Sequence, residues 1–194
     1  LPLSQTFSQI ATIEPHPPAT YLIFHLWGMI LGIDNAWLLR LLPALSSLLG
    51  IPALYALGHR LGGRRVGLMA AAMWALQPYQ IWHAQDFRNY AIWGGFSAVT
   101  LWLGLRLLYG QRRRIDWLLY GVLALLSGLI FYTELFMLGT LALYAILVGW
   151  RNERRFVMRL LVLQAAITAA VIGAFVIFQS QLFLSGGYGG TIGS

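Results

Sequence analysis

Six acidic residues and four histidines supply all the carboxylate and imidazole chemistry of the 194-residue chain, which has no cysteine. Their placement is uneven. Glu14 and His16 stand in the run Glu14-Pro15-His16-Pro17-Pro18. Asp86 and Arg88 stand in the polar island Gln85-Asp86-Phe87-Arg88-Asn89-Tyr90, and Glu134 follows Tyr132-Thr133. A carboxylate can take the proton of an attacking hydroxyl, and a guanidinium beside it can grip a phosphate in fork geometry. Asp86 and Arg88 therefore read either as the lining of an anion-binding cavity or as a local ion pair in a solvated loop. Glu134 reads either as part of the same polar set or as a cap at the positive end of the helix that begins there. His16 and Asp86 are also candidate ligands for a divalent metal, although two or three N and O donors without characteristic spacing are a weak signature. The P-loop, GxGxxG, HExxH and GxSxG patterns are absent. Without cysteine there is neither a disulfide framework nor thiol chemistry.

The elements that must hold these residues are membrane spans. Hydrophobic residues make up 59% of the chain and charged residues 10%, with a mean hydropathy of +0.70. Soluble domains average about 45–50% apolar and about 25% charged. The composition excludes a soluble domain, a disordered chain and a fibrous protein. Apolar runs cover about 19–32, 38–58, 66–84, 90–109, 116–132, 134–150 and 156–183. They predict an all-α, polytopic transmembrane helix bundle of about six spans. Pro43 and Pro52 fall inside the second run, where neighbouring membrane helices can re-satisfy the backbone. Residues 1–37 read as an outer loop with a Pro-rich lead-in and an interfacial helix, 38–183 as the bundle, and 184–194 as a flexible Gly-rich outer loop. The opening residues lack the pattern of a signal peptide, and the chain reads as the middle of something longer.

The basic residues assign sides. All thirteen are arginine. They gather at 58–65, 106–114 and 151–159, each cluster separated from the next by two apolar runs, with Arg40 and Arg88 as the exceptions. Such clusters face the cytoplasm in membrane proteins, which is a better account of the pI of about 10.3 than binding to nucleic acid. The 85–90 island and the 132–134 turn then face the other compartment. The segment 19–32 is short of the roughly 17–25 residues that a span needs. It is rich in aromatics (Tyr21, Phe24, Trp27), as interfacial helices are. Lying in the interface, it leaves His16, Asp86 and Glu134 on one outer face. Gln77, Gln164 and Gln179 are expected to bond between helices, while His25 and His59 read as interfacial and loop residues.

Four stretches in order resemble the GT-C superfamily of membrane glycosyltransferases, in the branch of protein O-mannosyltransferases and lipid A aminoarabinose transferases. They are His16-Pro17-Pro18-Ala19-Thr20-Tyr21, Arg40-Leu41-Leu42-Pro43-Ala44-Leu45, Gly63-Arg64-Arg65-Val66-Gly67-Leu68, and Gln85-Asp86-Phe87-Arg88-Asn89-Tyr90. The likeness is good over about 14–110 and hydropathy-deep beyond. It implies a GT-C-like fold with a juxtamembrane helix after the Pro-Pro pair. It also implies inverting transfer of a sugar from a polyprenyl-phosphate carrier to an acceptor on the outer side of a membrane, here the bacterial inner membrane. By the same resemblance His16, Asp86, Arg88 and Tyr90 contact donor phosphate or acceptor; Glu14, Gln85 and Glu134 are candidate supports beside them, Glu134 standing where members often have a histidine. The family's catalytic acid precedes the His-Pro-Pro element, so the catalytic residue is expected upstream of Leu1. Two other readings compete: a non-catalytic GT-C-like subunit packed against further membrane subunits, and a transporter. The peripheral position of the charges speaks against the transporter.

Because the chain has no cysteine of its own, a single introduced one reports sidedness cleanly. A membrane-impermeant thiol reagent is expected to label Asp86→Cys from outside and Arg113→Cys only after permeabilisation. Labelling of both from one side would remove the proposed topology.

Overall fold

The computed structural model describes residues 18–31, 36–86, 88–110 and 112–184, with side chains described except at 18, 36 and 178–184. Glu14, His16, Gln179 and the Gly-rich 185–194 thus lie outside the described residues or side chains. Eight helices follow one another: α1 Pro18–Leu31, α2 Ala36–Leu48, α3 Gly50–Leu76, α4 Pro78–Gln85, α5 Asn89–Tyr109, α6 Arg114–Ile130, α7 Glu134–Gly149 and α8 Arg154–Leu184. Among the described residues every element is a helix, in line with the all-α expectation.

Two breaks in these helices shape the bundle. Inside α3, Gly63 has φ +80° and Gly62 has φ −143° and ψ 15°. The positive φ is open to glycine at no steric cost, and the chain folds back on itself there. The return is tight. A Cβ on Gly58 would lie 2.9 Å from the Val66 carbonyl oxygen, and one on Gly50 would lie 2.1 Å from the Trp74 ring. Trp74 Nε1 in turn donates to the Ser47 carbonyl at 2.9 Å. The basic segment 58–65 is therefore helical up to residue 61, and only the two glycines form the turn; the sequence reading had it as a loop. The second break falls at Gln77, φ −64° and ψ 121°. The residue before a proline is driven out of the helical region, so Pro78 splits the apolar run 66–84 into the second leg of α3 and the short α4.

With these breaks the described chain crosses between two chemically distinct ends six times, at 36–61, 64–85, 89–109, 114–130, 134–149 and 154–184. By length and composition alone Trp37–Leu76, Asn89–Tyr109 and Arg154–Ile177 suffice to cross a membrane. The first of these is the folded hairpin. At one end the three arginine clusters meet: Arg60 Nη2 donates to the Tyr109 carbonyl at 2.5 Å, Arg106 pairs with Asp116 at 3.3 Å, and Arg112 pairs with Glu153. At the other end lie Asp86, Arg88, Asn89, Ile130 and Glu134. Helix α1 stays at that polar end. Thr20 reaches the last residue of α6, Phe24 packs with Ile92 and Ile130, and Trp27 Nε1 donates to the Leu38 carbonyl at 2.9 Å near the start of α2. A helix with contacts at both of its ends to one end of the bundle runs across it, as an interfacial helix does.

The core sits between α5, α6, α7 and α8, around Leu107, Tyr120, Leu138, Leu141, Leu160 and Val171. Small residues let the backbones close, the usual device where hydrophobicity cannot drive helices together. A Cβ on Gly95 would come 1.9 Å from the Ser46 carbonyl oxygen, and one on Gly104 would come 2.3 Å from Leu141. Facing outward are Phe136, Leu147 and Ile177, all more than 70% exposed. An apolar surface of this kind belongs in hydrocarbon.

Gly95→Ala is expected to cost about 1–3 kcal/mol, because a backbone atom cannot step aside cheaply. Gly139→Ala meets nothing within 4 Å and should be neutral or stabilising by up to about 1 kcal/mol through helix propensity. Thermal melts of the detergent-solubilised variants measure the contrast.

Candidate functional site

The polar end is assembled by the start of α5. Asn89, 3% exposed, donates through Nδ2 to the Ile130 carbonyl at 3.1 Å. Thr20 Oγ1 donates to the same oxygen at 3.3 Å. The last carbonyls of a helix have no partner within it, and here α6 finds one in α1 and one in α5. Position 89 then sets Arg88 just outside the helix in extended backbone and Tyr90 just inside it.

Asp86 and Arg88 form an ion pair, Oδ2 to Nε, at 3.4 Å, with side chains 37% and 63% exposed. Of the two sequence readings, the local pair is what the structure contains. Such an exposed pair is worth about 0–1 kcal/mol, so the guanidinium can exchange its carboxylate for another anion. Gln85 is exposed at the end of α4. Tyr90 stands over His83 with ring centroids 4.7 Å apart and edge-on to Phe131 at 5.5 Å. His83 meets Tyr79 at 4.2 Å, and Phe131 meets Trp93 at 5.1 Å. These five rings form an aromatic row from exposed Tyr79 to the inner wall of the site.

Glu134 closes that wall. It is fully buried, and Trp93 Nε1 donates to its Oε2 at 2.9 Å. Ser97, one turn further along α5, bears on the same carboxylate. Oε1 has no hydrogen-bond partner among the described residues. Thr133, at the N-cap of α7, makes no side-chain cap bond, and the Glu134 amide donates to the Phe131 carbonyl at 3.1 Å. Glu134 does stand in the first turn of α7, the position at which a carboxylate suits the positive end of a helix, and it also accepts from Trp93. In the turn before it, burial pushes the Tyr132 phenol up to about 12.

The structure thus brings Asp86, Arg88, Tyr90 and Glu134 to one end, with Gln85 beside them. His16 and Glu14 fall outside the described residues. Of the two candidate metal ligands only Asp86 is described, and no group of three or more His, Asp or Glu side chains gathers among the described residues. His83, Asn89 and Trp93 are additions that sequence reasoning missed. His83 carried one signal, its position four residues after Tyr79 and so on the same helical face. Its approach to Tyr90 depends on the bend at 86–88. Gln164 does bond between helices, donating to the Tyr120 hydroxyl at 2.7 Å. His59 lies in a helix, stacked on Tyr55, and not in a loop.

An all-helical integral membrane bundle with arginine at one end and a compact acid–arginine–aromatic site at the other is the class that fold and site define. Residues 15–178 match the family model of dolichyl-phosphate-mannose-protein mannosyltransferases, and the chain belongs to that family. The match extends the motif likeness well past residue 110. In general terms it makes the chain a membrane glycosyltransferase of the mannosyltransferase type. No curated protein and no solved structure matches the chain.

Either donor alone can satisfy the Ile130 carbonyl. Thr20→Val and Asn89→Leu should therefore each cost about 1 kcal/mol. The double variant should lose more than the sum, because it orphans the oxygen. Asp86→Asn should leave the melting temperature nearly unchanged. Additive losses at 20 and 89 would disprove the shared-acceptor account.

Proposed function

We propose that the polar end binds the phosphate of a polyprenyl-phosphate-linked sugar, and that the sugar passes from it to an acceptor hydroxyl on the outer side of the bacterial inner membrane. The observation that carries this reading is the position of Arg88: an exposed guanidinium, weakly paired, at the end opposite the arginine clusters. The family match supports the class of donor. The exposed apolar flanks of the bundle suit a polyprenyl tail.

The chemistry is an inverting displacement. The acceptor oxygen bonds to the anomeric carbon while the bond from that carbon to the phosphate oxygen breaks, and the phosphate leaves with the electron pair. The acceptor proton goes to a carboxylate base. The leaving group is already a phosphate, so it needs charge stabilisation more than protonation. Arg88 supplies this when it exchanges Asp86 for the phosphate oxygens. Tyr90 and His83 present ring faces and edges beside that point. Asp86 and Gln85 hold the waiting guanidinium and the acceptor. Glu134 is a positioning residue: fully buried, it holds the Trp93 indole against Phe131 and so backs the aromatic row.

Membranes containing the protein, given a labelled polyprenyl-phosphate mannose and an acceptor, should show acceptor-dependent transfer. Arg88→Ala should lower it by about 10²-fold or more, the range seen when one electrostatic stabiliser of a transition state is removed. Arg88→Lys should recover part of it, since a point charge replaces a fork. Full activity in Arg88→Ala would remove this residue from the site. No transfer by a folded wild-type chain would favour the non-catalytic subunit reading.

A further inference from the structure

The end opposite the site carries a groove that sugar transfer leaves unused. Helices α6 and α8 run in parallel from the basic end. Trp117 lies edge-on to Phe156 at 5.6 Å near the start. The Tyr120–Gln164 bond follows, and then the contact of Gly128 with Val171. On their outward side lies a groove of about 750 Å³, to which α6 gives Arg114, Leu118 and Val122 and α8 gives Arg159, Leu163 and Ala166. On each helix one stripe, spaced by three or four residues, begins with an arginine and continues apolar. It ends at Leu125 on α6 and at Ala170 on α8. Each stripe spans about 16 Å at 1.5 Å per residue, which is the depth of one leaflet of a hydrocarbon core about 30 Å thick. Gly121 and Ala166 keep the floor clear of bulk. A Cβ at Gly121 would only touch Leu163, at 3.7 Å.

The charge at the mouth is unbalanced. The carboxylates of this end are engaged elsewhere, Asp116 with Arg106 and Glu153 with Arg112. Arg114 and Arg159 take no part in the ion pairs among the described residues, and both are exposed. The N-terminal dipole ends of both helices add positive potential at the same level. Two guanidiniums at headgroup depth above an apolar slot one leaflet long are complementary to one molecule: a phosphate with an acyl chain below it. A zwitterionic headgroup would bring its own cation up to the two arginines, whereas an anionic one brings none.

We infer that the α6–α8 groove is a binding site for an anionic phospholipid of the leaflet at the basic end, its phosphate held between Arg114 and Arg159 and one acyl chain laid along Leu118, Val122 and Leu163. Bound there, the lipid bridges two helices and stabilises the bundle by mass action. The site lies at the far end from Arg88, so its test is independent of sugar transfer.

The full chain, purified in uncharged detergent, is melted with added phosphatidylglycerol, phosphatidylcholine or polyprenyl phosphate, and bound lipid is counted by native mass spectrometry. Phosphatidylglycerol should raise the melting temperature saturably and be retained at one molecule per chain, about tenfold better than phosphatidylcholine. R114Q/R159Q should abolish the rise. Ala166→Phe, which keeps both charges and fills the slot, should reduce it. Equal effects of the two phospholipids, or an undiminished rise in R114Q/R159Q, would overturn the proposal. So would displacement of phosphatidylglycerol by polyprenyl phosphate, which would assign the groove to the carrier. Where the double variant does not fold, retention by the unsubstituted chain decides: preference for phosphatidylglycerol supports the site, and equal retention overturns it.

Discussion

The carbonyl oxygen of Ile130 is the point on which the polar end depends. It closes α6, where no intrahelical donor is left for it, and it lies among buried apolar side chains. Left alone there, it would cost about 1–3 kcal/mol. Thr20 and Asn89 both donate to it, and in doing so they bind α1 and α5 to α6. The direction of α1 across the bundle, the start of α5 and the position of Tyr90 all follow from that oxygen. Phe24, Ile92 and Ile130 then close an apolar cluster around it.

The opposite end is held by charge. Arg60, Arg106 and Arg112 reach a carbonyl and two carboxylates across the turns, and Tyr109 bonds to Tyr144 between α5 and α7. Between the two ends the helices close through small residues: Gly58 against Gly67, Gly95 against Ser46, Gly104 against Leu141. The same segregation separates two chemistries. Arginines locked into pairs hold the basic end together, while the one arginine of the polar island keeps only an exposed, exchangeable partner.

Burial of Glu134 fits this division. A fully buried carboxylate met by an indole and a hydroxyl costs stability unless its surroundings compensate. The structure retains it where it fixes Trp93 against Phe131, beside the residues that would meet a substrate. A group kept at such cost next to a site acts through the geometry it enforces, and Glu134 reaches the site through that indole.

Much of this was legible from residue order. Hydropathy alone marked the spans, because a lipid-facing helix must be apolar whatever its neighbours are. Arginine clustering marked the two ends, because charge is sorted by compartment before any helix packs. The bonding of Gln164 was readable for a similar reason, since a lone amide in an apolar helix needs a partner on a neighbouring one. What a polar side chain touches was not. Asp86 and Arg88 were close enough in sequence for their pairing to be foreseen as one of two outcomes. Glu134 turning to Trp93, forty-one positions away, His83 meeting Tyr90 across a bend, and Thr20 sharing an acceptor with Asn89 had no local signal. Composition and periodicity therefore decided that the chain is a bundle of apolar helices and which end is which. Only the packed bundle decided the partners, since a buried donor or acceptor takes the nearest unsatisfied group in space, and that distance is set by how helices close and not by their order along the chain.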